Sequence, residues 1–169
     1  MYAGHAALAL LAKSRRPRIP LAVLIPVAFA PDWIEWIFSA AGLRNQEISH
    51  SLVSIGIGAT LVALVYGVSQ RDWSGALIVW LTYVSHWAAD FFTGLKPTWP
   101  GGPTVGLYLY KTPVADAAIE FAVIAVCWFA YRRSLPAPSR QRAMGWLVPL
   151  GLVAMHVAFL FATNPALRP

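Results

Sequence analysis

Five long apolar runs, each close to the length of a membrane-spanning helix, constrain this 169-residue chain more than any other feature. A helix needs roughly 20 apolar residues to cross the hydrocarbon core of a bilayer, because each residue adds only about 1.5 Å. We therefore predict an all-α integral membrane helical bundle in which residues 1–169 form a single domain. The predicted spans, about five transmembrane helices, are residues 19–40, 51–68, 73–93, 113–131 and 143–163.

Composition and charge indicate a membrane protein rather than a soluble or nucleic-acid-binding one. Apolar side chains make up 58% of the chain and charged ones 12%, which leaves too few polar groups to cover a soluble globule. The net charge of +6 comes from short basic blocks between the apolar runs, a pattern typical of topology signals and contacts with anionic lipids. We therefore expect membrane lipids as partners and no nucleic acid. The single cysteine, Cys127, lies in an apolar run and offers neither a disulfide framework nor a thiolate metal cage.

A shorter apolar stretch, residues 2–12, precedes the first basic block and is too short to span a bilayer. We predict a half-helix or a re-entrant segment here. The positive charges of a signal peptide stand before its apolar region, whereas here Lys13 and the arginines follow it. The sequence therefore indicates no cleaved signal peptide.

Two loops rich in Lys and Arg, residues 13–18 and 132–142, set the predicted orientation, because such loops normally stay in the cytoplasm. Counting spans from the first loop places residues 41–50 and 94–112 outside, and places 69–72 inside. The same count places the second basic loop inside as well, which agrees with the location that its own arginine content predicts. We expect a multi-pass protein of the cell membrane with its C-terminus outside.

Ionisable residues within the spans are few, and they fall in the half of the bundle nearer the predicted outer face. Because a charge inside a bilayer is costly, such residues are usually paired, bound to a metal or functional. His86 and Asp90 are four residues apart, as are Asp116 and Glu120, so each pair shares one helical face about 6 Å apart and can bind one ion. The candidate metal ligands are His5, Asp32, His50, His86, Asp90, Asp116 and Glu120.

This ligand set suits a divalent cation, with zinc favoured and manganese or iron also compatible. One such ion, or a dinuclear centre, would activate water and stabilise charge on a phosphoryl or acyl oxygen. Any carboxylate left uncoordinated would act as general base, so the candidate catalytic residues are Asp32, Glu35 and Glu120. Interhelical hydrogen bonding, worth roughly 0.6–2 kcal/mol, is an equal alternative for any one pair. It does not explain why the whole set gathers at one depth.

Three further features have no single interpretation from spacing alone. Glu35 is either an outer carboxylate that orients a ligand or only an outward-facing neighbour of Asp32. His156 stands alone in the last apolar run, which favours a core or interhelical histidine over a ligand. Pro26 and Pro31 bracket the turn before Asp32, where a kink would expose backbone carbonyls to the site.

Four short motifs together resemble one known family. They are Gly4-His5, Ala30-Pro31-Asp32, Ser49-His50-Ser51-Leu52, and Ser85-His86-Trp87-Ala88-Ala89-Asp90 followed by Thr93-Gly94. In order and spacing they resemble the LexA-binding, inner-membrane-associated hydrolases, also described as membrane-bound metal-dependent hydrolases. This resemblance covers most of the first 120 residues. A more distant likeness is to the zinc-dependent phospholipase C and P1-nuclease group, in which Asp116-x3-Glu120 would correspond to a late helical pair ending in Glu.

Two positions depart from the first family's pattern. The family tends to carry another Asp where Ile34 stands, with Glu35 following here, and the segment before His50 is usually more basic than Asn45-Gln46-Glu47-Ile48. Neither departure removes the set that the resemblance implies as metal ligands, namely His5, Asp32, His50, His86 and Asp90.

The expected function is metal-dependent hydrolysis in the inner membrane, as the resemblance implies. The resemblance carries no substrate with it; we expect a phosphoester or another lipid-linked group at a site near the outer leaflet. Lys96 and Lys111 flank the predicted opening, where they either attract an anionic headgroup or are simply solvated. The alternative is a non-catalytic membrane protein, either an ion or proton transporter component or a regulatory scaffold. A transporter would benefit from polar residues that continue into the inward half, and this sequence has almost none.

Overall fold

Eight α-helices account for most of the residues described by the computed structural model, which covers residues 2–43, 46–141 and 146–163. They are α1 (Ala3–Arg15), α2 (Leu21–Ala40), α3 (Gln46–His50), α4 (Leu52–Gln70), α5 (Trp73–Thr93), α6 (Pro113–Ser134), α7 (Ala137–Gln141) and α8 (Leu147–Thr163). Between α5 and α6, a small antiparallel hairpin pairs β1 (Lys96–Pro97) with β2 (Thr104–Val105), and a 3-10 helix covers Leu109–Lys111. The predicted all-α class is confirmed.

The helix boundaries follow the apolar runs within a few residues. The predicted half-helix extends past residue 12 to Arg15, and α2 starts after Pro20, whose extended backbone serves as its N-cap. Sequence reasoning missed α3, the hairpin and the 3-10 helix, because each is too short to show a periodic apolar pattern. Asn45, Arg142 and residues 143–145 of the last predicted span lie outside the described residues.

Within the described part of the chain, three helices are long and apolar enough to cross a membrane, which is consistent with membrane association. These are α2, α4 and α6, with mean hydropathies of 1.6, 2.0 and 1.7. The apolar part of α8 is shorter, and α5 reaches 21 residues but includes His86 and Asp90. Transmembrane placement of α5 and α8, and hence a total of five spans, stays a prediction.

The short helix α1 lies at the centre of the bundle, in contact with α2, α5, α6 and α8. Ala3, Ala7 and Ala9 on this helix are fully buried. Small side chains allow neighbouring helices to approach closely, so a helix too short to span can be enclosed by longer ones. The N-terminal end of α1 is therefore surrounded by the bundle.

Contacts between loops identify which loops share an end of the bundle. The Arg16 guanidinium pairs with Asp72 at 2.8 Å, which joins the loop after α1 to the turn between α4 and α5. At the opposite end, the Gly101 N–H donates to the Glu47 carboxylate at 2.8 Å and joins the 94–112 loop to α3. The loops predicted to lie inside thus share one end of the bundle, and the loops predicted to lie outside share the other.

Replacing Asp72 with alanine is expected to lower the thermal unfolding midpoint near neutral pH, because one carboxylate both caps α5 through the Gly75 N–H and pairs with Arg16. The hydrogen bond from Gly75, assisted by Arg16, lowers the pKa of Asp72. A carboxyl with a lowered folded-state pKa stabilises the fold above its ordinary pKa of about 3.9, and this contribution is lost as the pH falls through the folded value. The difference from wild type, measured in detergent, should therefore shrink in acid. A difference of constant size would contradict this account.

Candidate metal site

Five of the predicted ligands meet at the end of the bundle where α1 begins and α5 ends. They come from four helices: His5 from α1, Asp32 from α2, His50 from α3, and His86 with Asp90 from α5. All are buried except Asp32, which is half-buried. Two overlapping triads have ligand atoms within 4.8 Å of one another, namely His5, Asp32 and His86, and His50, His86 and Asp90.

Two carboxylates bridge the three imidazole rings. Asp32 Oδ1 lies 3.1 Å from His50 Nε2 and 3.5 Å from His86 Nε2. Asp90 Oδ1 lies 3.2 Å from His5 Nε2, and its Oδ2 lies 3.5 Å from His86 Nε2. The His5 and His86 rings stack with centroids 3.9 Å apart. The three histidines and two carboxylates therefore form one continuous cluster.

Local structure explains how distant parts of the chain reach this cluster. The spacing of four residues puts His86 and Asp90 on one face of α5, as predicted. Ser51 adopts an extended backbone and caps α4 by accepting from Ser54 N, so the chain turns between α3 and α4. This turn leaves His50 at the end of α3, pointing into the bundle with only 2% of its surface exposed.

Hydrogen bonds at Nδ1 fix the tautomers of two histidines. His86 Nδ1 lies 2.9 Å from the Ala28 carbonyl, and a carbonyl only accepts, so this nitrogen carries the proton. Ser49 Oγ donates its single proton to Glu35 Oε2 at 2.6 Å and must therefore accept from His50 Nδ1 at 2.7 Å. Burial lowers the pKa of His50 despite its contact with Asp32, which favours the neutral ring. Both Nε2 atoms then present lone pairs.

The cluster has the donor chemistry of a cation site. The Nε2 atoms of His50 and His86 are only 3.2 Å apart, and Asp32 Oδ1 lies beside both. Lone pairs that face one another at this distance repel unless a cation lies among them. Imidazole nitrogens and carboxylate oxygens, with the far side of the His50 and His86 rings held by hydrogen bonds, resemble the arrangement found around bound divalent metals, whereas His5 Nδ1 has no hydrogen-bond partner among the described residues. The described residues thus fit a metal ion, as predicted, without specifying which one.

Lys96 lies in the cluster rather than merely near its opening. The hairpin places its ammonium 2.8 Å from Asp90 Oδ2, where it offsets part of the negative charge. The loop closes tightly over the end of α5 because Gly106, at φ 149°, has no side chain, and an added Cβ would clash with the Gly94 carbonyl. Lys111, by contrast, lies over the Tyr108 ring at 4.6 Å.

The remaining two predicted ligands, Asp116 and Glu120, belong to neither triad. Both are fully buried on α6. Glu120 Oε1 accepts a hydrogen bond from the Gly4 N–H at 2.5 Å and lies 3.8 Å from His156 Nδ1 on α8. The carboxylate oxygens of Asp116 have no hydrogen-bond partner among the described residues. The 3.8 Å approach to Glu120 places His156 between α8 and α6, as its isolation in the sequence predicted.

Sequence reasoning missed two groups that orient the ligands. One is Ser49, whose only signal was its position beside His50. The other is the Ala28 carbonyl, although the prolines of α2 predicted carbonyls exposed to the site. Pro31 has no N–H, which removes the intrahelical donor of the Val27 carbonyl, in the same turn as Ala28.

Ser49→Ala is expected to weaken metal binding by about 10-fold, because it disconnects His50 Nδ1 from Glu35, and groups that orient ligands typically contribute 10- to 100-fold. Competition with a chelating dye measures the affinity. Ser85→Ala is the matched control, since Ser85 adjoins His86 but, among the described residues, its hydroxyl bonds to the Thr82 carbonyl of its own helix and not to a ligand. Equal affinities for the two variants would remove Ser49 from this role.

Comparison with known proteins assigns no family to the chain. No family model, curated protein or solved structure matches it.

Proposed function

We propose that this protein is a membrane-bound, metal-dependent hydrolase of the inner membrane, with zinc as the preferred ion. The observation that carries the proposal is the close approach of the His50 and His86 Nε2 atoms, each with its Nδ1 proton held elsewhere. His5 and Asp90 complete the ligand set, and Asp32 lies beside it at 3.1 Å from His50 Nε2. The motif resemblance to membrane-bound hydrolases supports the same activity.

A divalent cation held by these residues would activate a water molecule and stabilise negative charge on a phosphoryl or acyl oxygen. The chain's own side chains supply orientation and proton transfer. Ser49 and the Ala28 carbonyl hold two imidazoles so that Nε2 points inward. Asp32, with 36% of its side chain exposed, is the carboxylate best placed to accept a proton from the attacking water. Glu35 holds Ser49 in place.

A cavity of about 460 Å³ next to the cluster supports a lipid-linked substrate. Its polar side contains Asp32, Asp90 and Lys96, and the lysine suits an anionic group such as a phosphoester. Its apolar side is aromatic, formed by Tyr2, Phe29, Trp33, Trp36 and Phe159. Trp36 is 73% exposed at the rim, where an apolar chain from the surrounding lipid can enter.

Hydrolysis of two probes by zinc-loaded protein tests the activity. We expect p-nitrophenyl phosphate, or phosphatidic acid in detergent micelles, to be hydrolysed in a zinc-dependent way, and we expect Asp32→Asn to abolish the reaction. Asp72→Asn, at the opposite end of the bundle, is the control and should retain activity. Zinc binding without hydrolysis of either probe, but with zinc flux across proteoliposomes, would overturn the enzyme and favour the transporter alternative.

The outer-face position of the site is tested by cysteine labelling. Thr104→Cys in the hairpin should react with an impermeant maleimide from the outside, and Ser69→Cys, at the other end of the bundle, only from the inside. Both positions are exposed, whereas the native Cys127 is buried and gives a low background. Labelling of Thr104→Cys from the cytoplasm alone would reverse the orientation and move the site to the inner face.

A further inference from the structure

The helix that carries His5 is capped by a side chain from another helix. Tyr2, at the N-cap of α1, makes no side-chain capping hydrogen bond among the described residues. Instead the Gly4 N–H donates to Glu120 Oε1 on α6 at 2.5 Å, with both residues buried. The first turn of a helix leaves backbone N–H groups without partners inside the helix, and Glu120 satisfies one of them.

This hydrogen bond should be a strong one. A carboxylate that accepts from the N-terminus of a helix interacts favourably with the helix dipole, and the low polarity of the surroundings increases the effect. Apolar packing between the same two helices adds no comparable directionality. That contact is made by buried and partly buried apolar side chains of both helices: Ala3, Ala7, Leu8 and Leu11 on α1, and Val123, Ile124 and Cys127 on α6.

The position of this bond beside His5 links it to the metal site. Gly4 directly precedes His5, and three of the six buried residues of α1 are alanines, whose short side chains interlock less with neighbouring helices than larger side chains do. His5 has to keep Nε2 at 3.2 Å from Asp90 Oδ1 while its ring stacks on His86. A rotation of α1 by a fraction of a turn would break both contacts. A directional bond one residue away prevents that rotation.

We infer that Glu120 is a positioning residue of the metal site: by capping α1 from α6, it fixes the rotation and height at which His5 meets the other ligands. The inference rests on the proposed function only in that His5 is a metal ligand. It gives Glu120 a role other than general base or ligand. Asp116 lies one turn earlier on the same helix, equally buried, and has no hydrogen-bond partner among the described residues. It therefore provides the matched control.

The experiment measures zinc affinity in a double-mutant cycle. Glu120→Ala should weaken zinc binding by about 10- to 100-fold, and Glu120→Gln, which keeps a carbonyl acceptor, by less. In a His5→Ala background, Glu120→Ala should cause no further loss, because the ligand that it positions is already absent. Asp116→Asn should bind zinc like the wild type. Cobalt substitution provides a second readout, since Glu120→Ala and His5→Ala should give the same altered visible spectrum.

The outcomes separate this inference from the proposed function. If His5→Ala binds zinc as tightly as the wild type, the proposed ligand set is wrong. If His5→Ala binds weakly but Glu120→Ala and Glu120→Gln bind normally, only the positioning role is overturned. Additive losses in the cycle, or an equal loss for Asp116→Asn, would also overturn it by showing a general disturbance of α6. Should Glu120→Ala fail to fold, the Glu120→Gln cycle and its cobalt spectrum decide.

Discussion

Replacing His86 with alanine is expected to weaken zinc binding by more than about 100-fold, the upper end of the effect seen when only a ligand-orienting group is lost. His86 is the ligand common to both triads, and its Nε2 lies within 3.5 Å of Asp32, His50 and Asp90. Its removal therefore takes one ligand from each of the two triads. Competition with a chelator of known affinity, on protein of wild-type helicity, measures the loss.

The partner variant Asp90→Ala tests whether the two residues act together. It should also reduce bound zinc, and the double variant should cost little beyond the worse single change, because groups that share one ion are strongly coupled. Asp72→Ala removes a carboxylate from the opposite end of α5 and serves as the control for zinc content, which it should leave unchanged although it lowers stability. Additive, modest losses of stability with unchanged zinc content would instead indicate interhelical hydrogen bonding.

Replacing His5 with alanine is expected to lower zinc affinity by at least about 10-fold while leaving the long helices inserted. The helix that carries His5 is too short to span a bilayer, so membrane insertion depends on the other helices. His156→Ala removes the same side chain from α8, where the histidine is 3.8 Å from Glu120 and belongs to neither triad. It should retain normal zinc content.

Comparison of these two histidine variants at matched yield and helicity separates a ligand from a packing residue. Equal zinc content in both would remove His5 from the site. Loss in His156→Ala alone would mean that α8, rather than α1, supplies the third imidazole. Elemental analysis of the purified proteins distinguishes these results.

The sequence predicted the helices well because apolar run length and membrane thickness are directly related. It also predicted that His5, Asp32, His50, His86 and Asp90 meet, since polar residues at one depth of an apolar bundle gain by contacting each other. The depth of a residue in the membrane, however, does not determine which neighbouring helix its side chain faces.

Asp116 and Glu120 illustrate what depth alone leaves open. They share the level of the other acids, but α6 turns them toward α1 and α8, where Glu120 meets Gly4. Which helices become neighbours depends on packing of side chains over the whole bundle, and spacing within one helix carries no such information. The type of a residue also carries no information about backbone partners such as the Ala28 carbonyl. Ser49 is similar, because its role depends on Glu35 lying across from it in the fold.

The metal content of the purified protein tests the central claim most directly. Protein expressed in zinc-supplemented medium and purified without chelators should contain at least about one metal ion per chain by inductively coupled plasma mass spectrometry. The variant that combines His50→Ala with His86→Ala removes the two facing Nε2 atoms and should contain almost none. Wild-type protein without bound metal, or a double variant with the wild-type content, would contradict the assignment of this cluster as a metal site.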